Sequence, residues 1–142
     1  MRKYIYIGLG GFFGAMLRIV FKSIDLHNIN GLFPINTLLI NVFGSFLLAI
    51  FLTICIEVLE IDPDIRLGVA TGFIGAFTTF STVCKEVVII FEQGHYLLAI
   101  NYTLISVFLG IAAVYIGTII AREYILKLVN RYKTSDIKDE LK

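Results

Sequence analysis

The residues best suited to chemistry lie in one run, G-F-I-G-A-F-T-T-F-S-T, from Gly72 to Thr82, inside a hydrophobic segment otherwise long enough to cross a bilayer. Two glycines three apart, then Thr78, Thr79, Phe80, Ser81 and Thr82, weaken helix propensity and place polar groups at a depth where water is absent. Irregular backbone there is tolerated only where protein buries it or where it lines a cavity, so the run reads as a broken helix at a functional centre. The glycines alone would equally serve close packing of a neighbouring helix. Hydroxyls and phenylalanines together favour the break.

Other polar residues fall on stripes that could face this run. Thr37, Asn41, Gly44 and Ser45 share one face of a helix. The Asn41 amide can donate two hydrogen bonds to an anion, or it can bond across to a neighbouring helix. Tyr102, Ser106 and Gly110 recur at spacing four and could line a pore, whereas Ala113, Gly117 and Ala121 suit packing. Arg18, near the end of the first apolar stretch, either snorkels to the headgroups or forms an anion vestibule. Lys85 and Glu86, a turn past the expected break, mark its wet end or form a plain surface pair. Cys55 and Cys84 show no metal-ligand spacing and read as packing residues, and His27 and His95 fall in short loops.

The elements that must position these residues follow from composition. Of 142 residues 58% are hydrophobic and only 16% charged, which excludes an ordinary soluble domain. Charge-free runs at 4–17, 26–56, 67–84 and 93–121, against about 20 residues per span, predict four transmembrane helices. The expected fold is an all-α integral membrane protein whose third helix is broken. Helices are predicted from about Tyr4 to Phe21, Ile35 to Glu57, near Arg66 onward, and Tyr96 to Ala121. Residues 1–122 then form the membrane domain and 123–142 a charged cytoplasmic tail. Gly10 and Gly14 make a small-residue face on helix 1, so another helix is expected to approach it closely. The first apolar run lacks a small-x-small exit, so it is expected to stay as a helix. A net charge of +1 gives no ground for nucleic-acid binding.

G-G-F-F-G-A-M-L-R, N-T-L-L-I-N-V-F-G-S-F and G-F-I-G-A-F-T-T-F-S-T, with Glu86 four residues on, together resemble the Fluc (CrcB) family of small fluoride channels. The resemblance covers all four helices in order. It implies a fluoride-selective channel, not an enzyme, that passively relieves fluoride toxicity in a prokaryotic plasma membrane. It further implies an antiparallel, dual-topology dimer with two narrow fluoride paths between subunits, and a structural Na⁺ at the dimer centre. Under that resemblance Asn41 and Phe80 line the path, with Thr79 and Ser81 beside them and Tyr102 and Ser106 along helix 4. Arg18 and Glu86 match vestibule positions, and Gly75 and Thr78 supply carbonyls to the sodium ion. An aromatic edge is electropositive and can meet an anion weakly enough to release it.

The sequence departs from that pattern at Val83, where a second pore phenylalanine is expected, at Ala76 and at Asn36, both glycine in the family. Two other readings stay open. A small multidrug-type cation/proton exporter normally needs an acidic residue deep in helix 1, which is missing here; a non-conducting partner subunit would accommodate Val83. Arginines and lysines near the helix ends number seven on the side of the termini against two on the other. That bias predicts cytoplasmic termini and an oppositely oriented, paralogous subunit as partner, a homodimer being the alternative.

Overall fold

The computed structural model describes residues 1–24, 32–57, 61–125 and 127. Residues 25–31 of the connector, with His27, and most of the predicted tail lie outside the described residues. Helix α1 spans Arg2–Ser23 and α2 spans Ile35–Glu57. The third span opens with α3, Pro63–Leu67, where Asp62 caps the first turn by accepting from the Asp64 amide at 2.8 Å and proline occupies the position that needs no amide proton. It continues as a π-helical turn, Gly68–Ile74, and as α4, Gly75–Phe77. Thr78 and Thr79 then leave helical geometry, with ψ of 158° and 110°, before α5, Phe80–Glu92. Gly94, at φ +82°, turns the chain into α6, Tyr96–Ile120, which runs on into a second π-helical turn, Ala121–Ile125. Among the described residues four segments are long and apolar enough to cross a membrane: Arg2–Ser23, Ile35–Glu57, Pro63–Glu92 and Tyr96–Glu123. The protein is a multi-pass, all-helical membrane protein.

Small residues set the packing. A methyl group on Gly10 would collide with the Gly68 carbonyl oxygen, and one on Gly14 with that of Phe73, so α1 lies directly on the backbone of the first π-helical turn. The small-residue face expected on helix 1 therefore meets the third span. A Cβ on Gly117 would stand 2.8 Å from the Phe46 carbonyl oxygen and 3.1 Å from the Ala49 Cβ, which explains how α6 reaches α2. Ala113, Gly117 and Ala121 are all buried, as a packing stripe requires. Cys55 is also buried, whereas Cys84 is exposed on α5 and does not pack within the chain.

The outward surfaces of α1 and α6 carry Phe12, Phe13, Ile19, Leu97, Phe108 and Ile111, all exposed. An apolar surface of this extent suits lipid or a partner helix rather than water. At the end of the bundle holding the N-terminus, Arg2 pairs with Asp62 at 3.3 Å, and Arg122 donates twice to Glu57, at 2.7 and 2.9 Å. These exposed pairs each contribute about 0–1 kcal/mol, so they orient the helix ends more than they stabilise the bundle.

Candidate functional site

Interrupting a helix frees backbone groups, and the structure reassigns them one by one. The Thr78 amide still bonds to the Ile74 carbonyl at 3.0 Å, the last helical bond before the break. The Thr79 amide, which an unbroken helix would direct to Gly75, bonds instead to Asn41 Oδ1 at 2.8 Å. Asn41 Nδ2 in turn donates to the Thr79 carbonyl at 3.1 Å. One amide side chain on α2 thus satisfies both sides of a single peptide residue at the break. The Thr82 amide, which would otherwise reach Thr78, bonds to Thr79 Oγ1 at 3.2 Å, making Thr79 the N-cap of α5. The carbonyls of Gly75 and Thr78 are the two whose helical donors are diverted in this way.

The break forms one wall of a groove of about 290 Å³, lined by Asn41, Gly44, Ser45 and Leu48 of α2, Thr78 and Thr79, Phe80 and Val83 of α5, and Thr103, Ser106 and Val107 of α6. Phe80 stands at its edge with 81% of its surface exposed, while Phe77, three residues earlier, is buried and meets the Phe21 ring edge-on at 5.7 Å. A larger cleft, about 490 Å³, lies between α2 and the start of the third span, where Asp64, Arg66 and Thr71 join Leu48, Leu52, Pro63, Leu67 and Ala70, and it holds none of the candidate residues. The groove at the break is the better site, because it gathers the interrupted backbone with Asn41, Phe80 and Ser106, and selectivity needs such oriented groups rather than volume.

Of the residues singled out from the sequence, the groove brings together Asn41, Thr78, Thr79, Phe80 and Ser106. Asn41 spends one amide proton and its oxygen on Thr79, so it keeps one N–H for a ligand rather than two. Ser81 is exposed and lies beside the groove, its Oγ 3.3 Å from Thr79 Oγ1. Arg18 does not reach the groove, since none of the lining residues comes from α1. Gly75 also lies outside the lining, on the outward face of α4.

Tyr102 and Glu86 lie outside the lining of this groove in the single chain. Tyr102 was expected on the lining stripe but is 0% exposed; its ring packs edge-on against Phe33 at 5.4 Å, and its hydroxyl donates to Glu86 Oε2 at 2.9 Å. In the single chain α6 contributes Thr103, Ser106 and Val107 to the wall, and Thr103 is a residue that the stripe at spacing four passed over. A second hydroxyl three residues before Ser106 was the available signal. Glu86 also accepts from Thr37 at 2.7 Å and lies 3.8 Å from Lys22 Nζ, joining four helices. Val83 is at once groove wall and core, packed with Leu38, Ile90, Ala99 and Tyr102.

Removing the Glu86 carboxylate would leave the buried hydroxyls of Thr37 and Tyr102 without an acceptor. At about 1–3 kcal/mol for each unsatisfied buried group, Glu86→Ala is expected to destabilise the bundle by about 2–6 kcal/mol. Thermal unfolding in detergent measures this, with Glu86→Gln recovering most of the loss because its amide oxygen still accepts.

The donors toward the groove are sparse. Ser106 and Thr103 hydroxyls donate to the carbonyls of Tyr102 and Ala99, at 2.7 and 2.9 Å. An anion would have to turn these rotors, a small cost, while the remaining Asn41 proton and the Phe80 ring edge themselves carry partial positive charge. Such a surface meets an anion without trapping it.

A four-span membrane protein with an aromatic-edged polar groove at a mid-span interruption is built as a conduit. The chain belongs to the CrcB family: residues 5–118 match the family described as CrcB-like protein, Camphor Resistance. Among curated relatives, the fluoride-specific ion channel FluC 2 of Carboxydothermus hydrogenoformans is 37% identical over 97% of this chain and 98% of its own length. The fluoride-specific ion channel FluC of Legionella pneumophila is 38% identical over 87% of this chain and 92% of its own. FluC 2 of Staphylococcus saprophyticus is 39% identical over 81% and 93%.

Proposed function

We propose that this chain is a subunit of a fluoride-selective ion channel through which fluoride leaves the cell passively. The observation that carries the reading is the groove, which combines an outward-standing Phe80, one free Asn41 amide proton and rotatable hydroxyls along a mid-span break. Small, hard fluoride can accept from such sparse donors and pass on. The names of relatives that match nearly end to end support the same substrate. No enzymatic step belongs to this account.

The groove is open on one side, and Phe80 has little of its own chain around it, so a second subunit would complete the path. An antiparallel arrangement would bring two interrupted third spans together. Gly75 and Thr78 would then offer main-chain carbonyls to Na⁺, a hard cation suited to oxygen ligands. The diverted amides of Thr79 and Thr82 leave those two carbonyls without their helical donors, although the Thr78 hydroxyl lies 3.5 Å from the Gly75 carbonyl oxygen. When bound, the ion would supply a fixed positive charge at the centre of the dimer.

The cationic bias toward the terminal side supports cytoplasmic termini in a plasma-membrane protein and an oppositely biased paralogue as partner. Relatives numbered FluC 2 are in keeping with paired genes. Expression in cells lacking their own fluoride exporter tests the reading: growth in millimolar fluoride is expected with the partner gene present. A cysteine placed at the C-terminus should label from the cytoplasmic side only. Equal labelling from both sides, with full rescue by this chain alone, would instead establish a homodimer.

A further inference from the structure

Asn36, the residue standing where the family pattern has glycine, ties two helix ends together. Its Nδ2 donates to the carbonyl of Ile24 at 2.8 Å and toward that of Lys22 at 3.4 Å, capping carbonyls that the end of α1 cannot satisfy itself. The next residue, Thr37, donates to Glu86 Oε1 at 2.7 Å, and the same oxygen lies 3.8 Å from Lys22 Nζ. Asn36 therefore fixes the last turn of α1, and with it Lys22, against the carboxylate that Thr37 also grips. The Glu86 side chain is 18% exposed and that of Lys22 54%, so the carboxylate is the inner partner and the ammonium the outer one.

This cluster lies at one end of the groove. Thr37 precedes Asn41 by four residues, Glu86 follows Val83 by three, and Tyr102 precedes Ser106 by four. On all three helices the step is one turn, about 5 Å along the axis. A carboxylate so close to the path repels an approaching anion unless a cation offsets it, and surface cations raise local anion concentration by about tenfold or more.

We infer that Lys22, held in place by Asn36, is a positioning residue for anion entry: it offsets the charge of Glu86 at the end of the groove. The inference rests on the fluoride-channel reading and adds to it a residue that acts only on access. Lys22 is thus expected to govern how readily fluoride enters and not how fast a saturated path conducts.

The test is initial fluoride efflux from proteoliposomes holding the full-length chain in whichever subunit composition conducts. At low fluoride and low ionic strength Lys22→Gln should slow efflux by roughly five- to twentyfold. The deficit should shrink as fluoride approaches saturation, and also at about 1 M of an impermeant salt, where screening is short-ranged. Lys22→Arg should restore the rate, Asn36→Leu should show a milder version of the deficit, and adding Glu86→Gln to Lys22→Gln should recover much of the loss. Unchanged efflux in Lys22→Gln at low fluoride overturns the inference. So does an equal loss at every fluoride and salt concentration that arginine fails to rescue, because that marks a merely structural role. No flux from the unaltered protein in any composition would remove the channel reading itself, an outcome distinct from either.

Discussion

Phe80→Ile is expected to reduce fluoride efflux by about 100-fold or more while leaving the protein folded and assembled. The ring is 81% exposed in the single chain and has few intrachain contacts to lose, so the change in the subunit's own stability should stay within about 1 kcal/mol. Isoleucine keeps apolar bulk at the first position of α5 but has no positive edge to offer an anion. Val83, one turn on, shows the contrast within the same chain: it fills wall and core without presenting a ring. Efflux and size-exclusion profiles measured on the same preparation check both halves of the expectation.

Asn41→Leu should cost both flux and stability. The substitution leaves the Thr79 N–H without the partner it has at 2.8 Å, in a segment where water cannot replace it, while the Thr79 C=O loses the Asn41 bond at 3.1 Å but keeps its helical donor as the N-cap of α5. For one unsatisfied buried group the loss is about 1–3 kcal/mol, concentrated at the break that sets Phe80. Efflux should fall at least about tenfold, together with a clear drop in the unfolding temperature. If Asn41 served only as an anion donor, flux would fall and thermal stability would not. Measuring both on one sample separates the two.

The parts of the fold set by local rules were legible from the chain. The second span begins at Ile35 and ends at Glu57, as the run after Pro34 predicts, and the closely approached face of helix 1 follows from Gly10 and Gly14. The departure from helix at Thr78 and Thr79 sits within the hydroxyl-rich run that suggested it. What depends on partners distant in sequence was not legible. Asn41 was open between an anion and a neighbouring helix, and 38 residues separate it from the peptide it clamps. The inward turn of Tyr102 depends on Glu86 and Phe33, which no periodicity along α6 reveals. The π-helical turn at Gly68–Ile74 likewise reflects the close approach of α1 to Gly68 and Phe73 rather than any local signal.

The groove's sparse donors also explain why the site carries so few charges. A lysine or arginine in its lining would bind fluoride strongly and slow its departure, whereas ring edges and hydroxyls favour passage. Charge is kept one turn away, where Lys22 and Glu86 offset each other.

The central claim, that this groove conducts fluoride selectively, is tested most directly by reconstituting the purified chain, alone and with a paralogous partner, and comparing fluoride with chloride efflux under a potassium ionophore. The account predicts rapid fluoride release, negligible chloride release and no proton-coupled export of an organic cation dye. Equal movement of chloride, or dye export with no fluoride release in either composition, would contradict it.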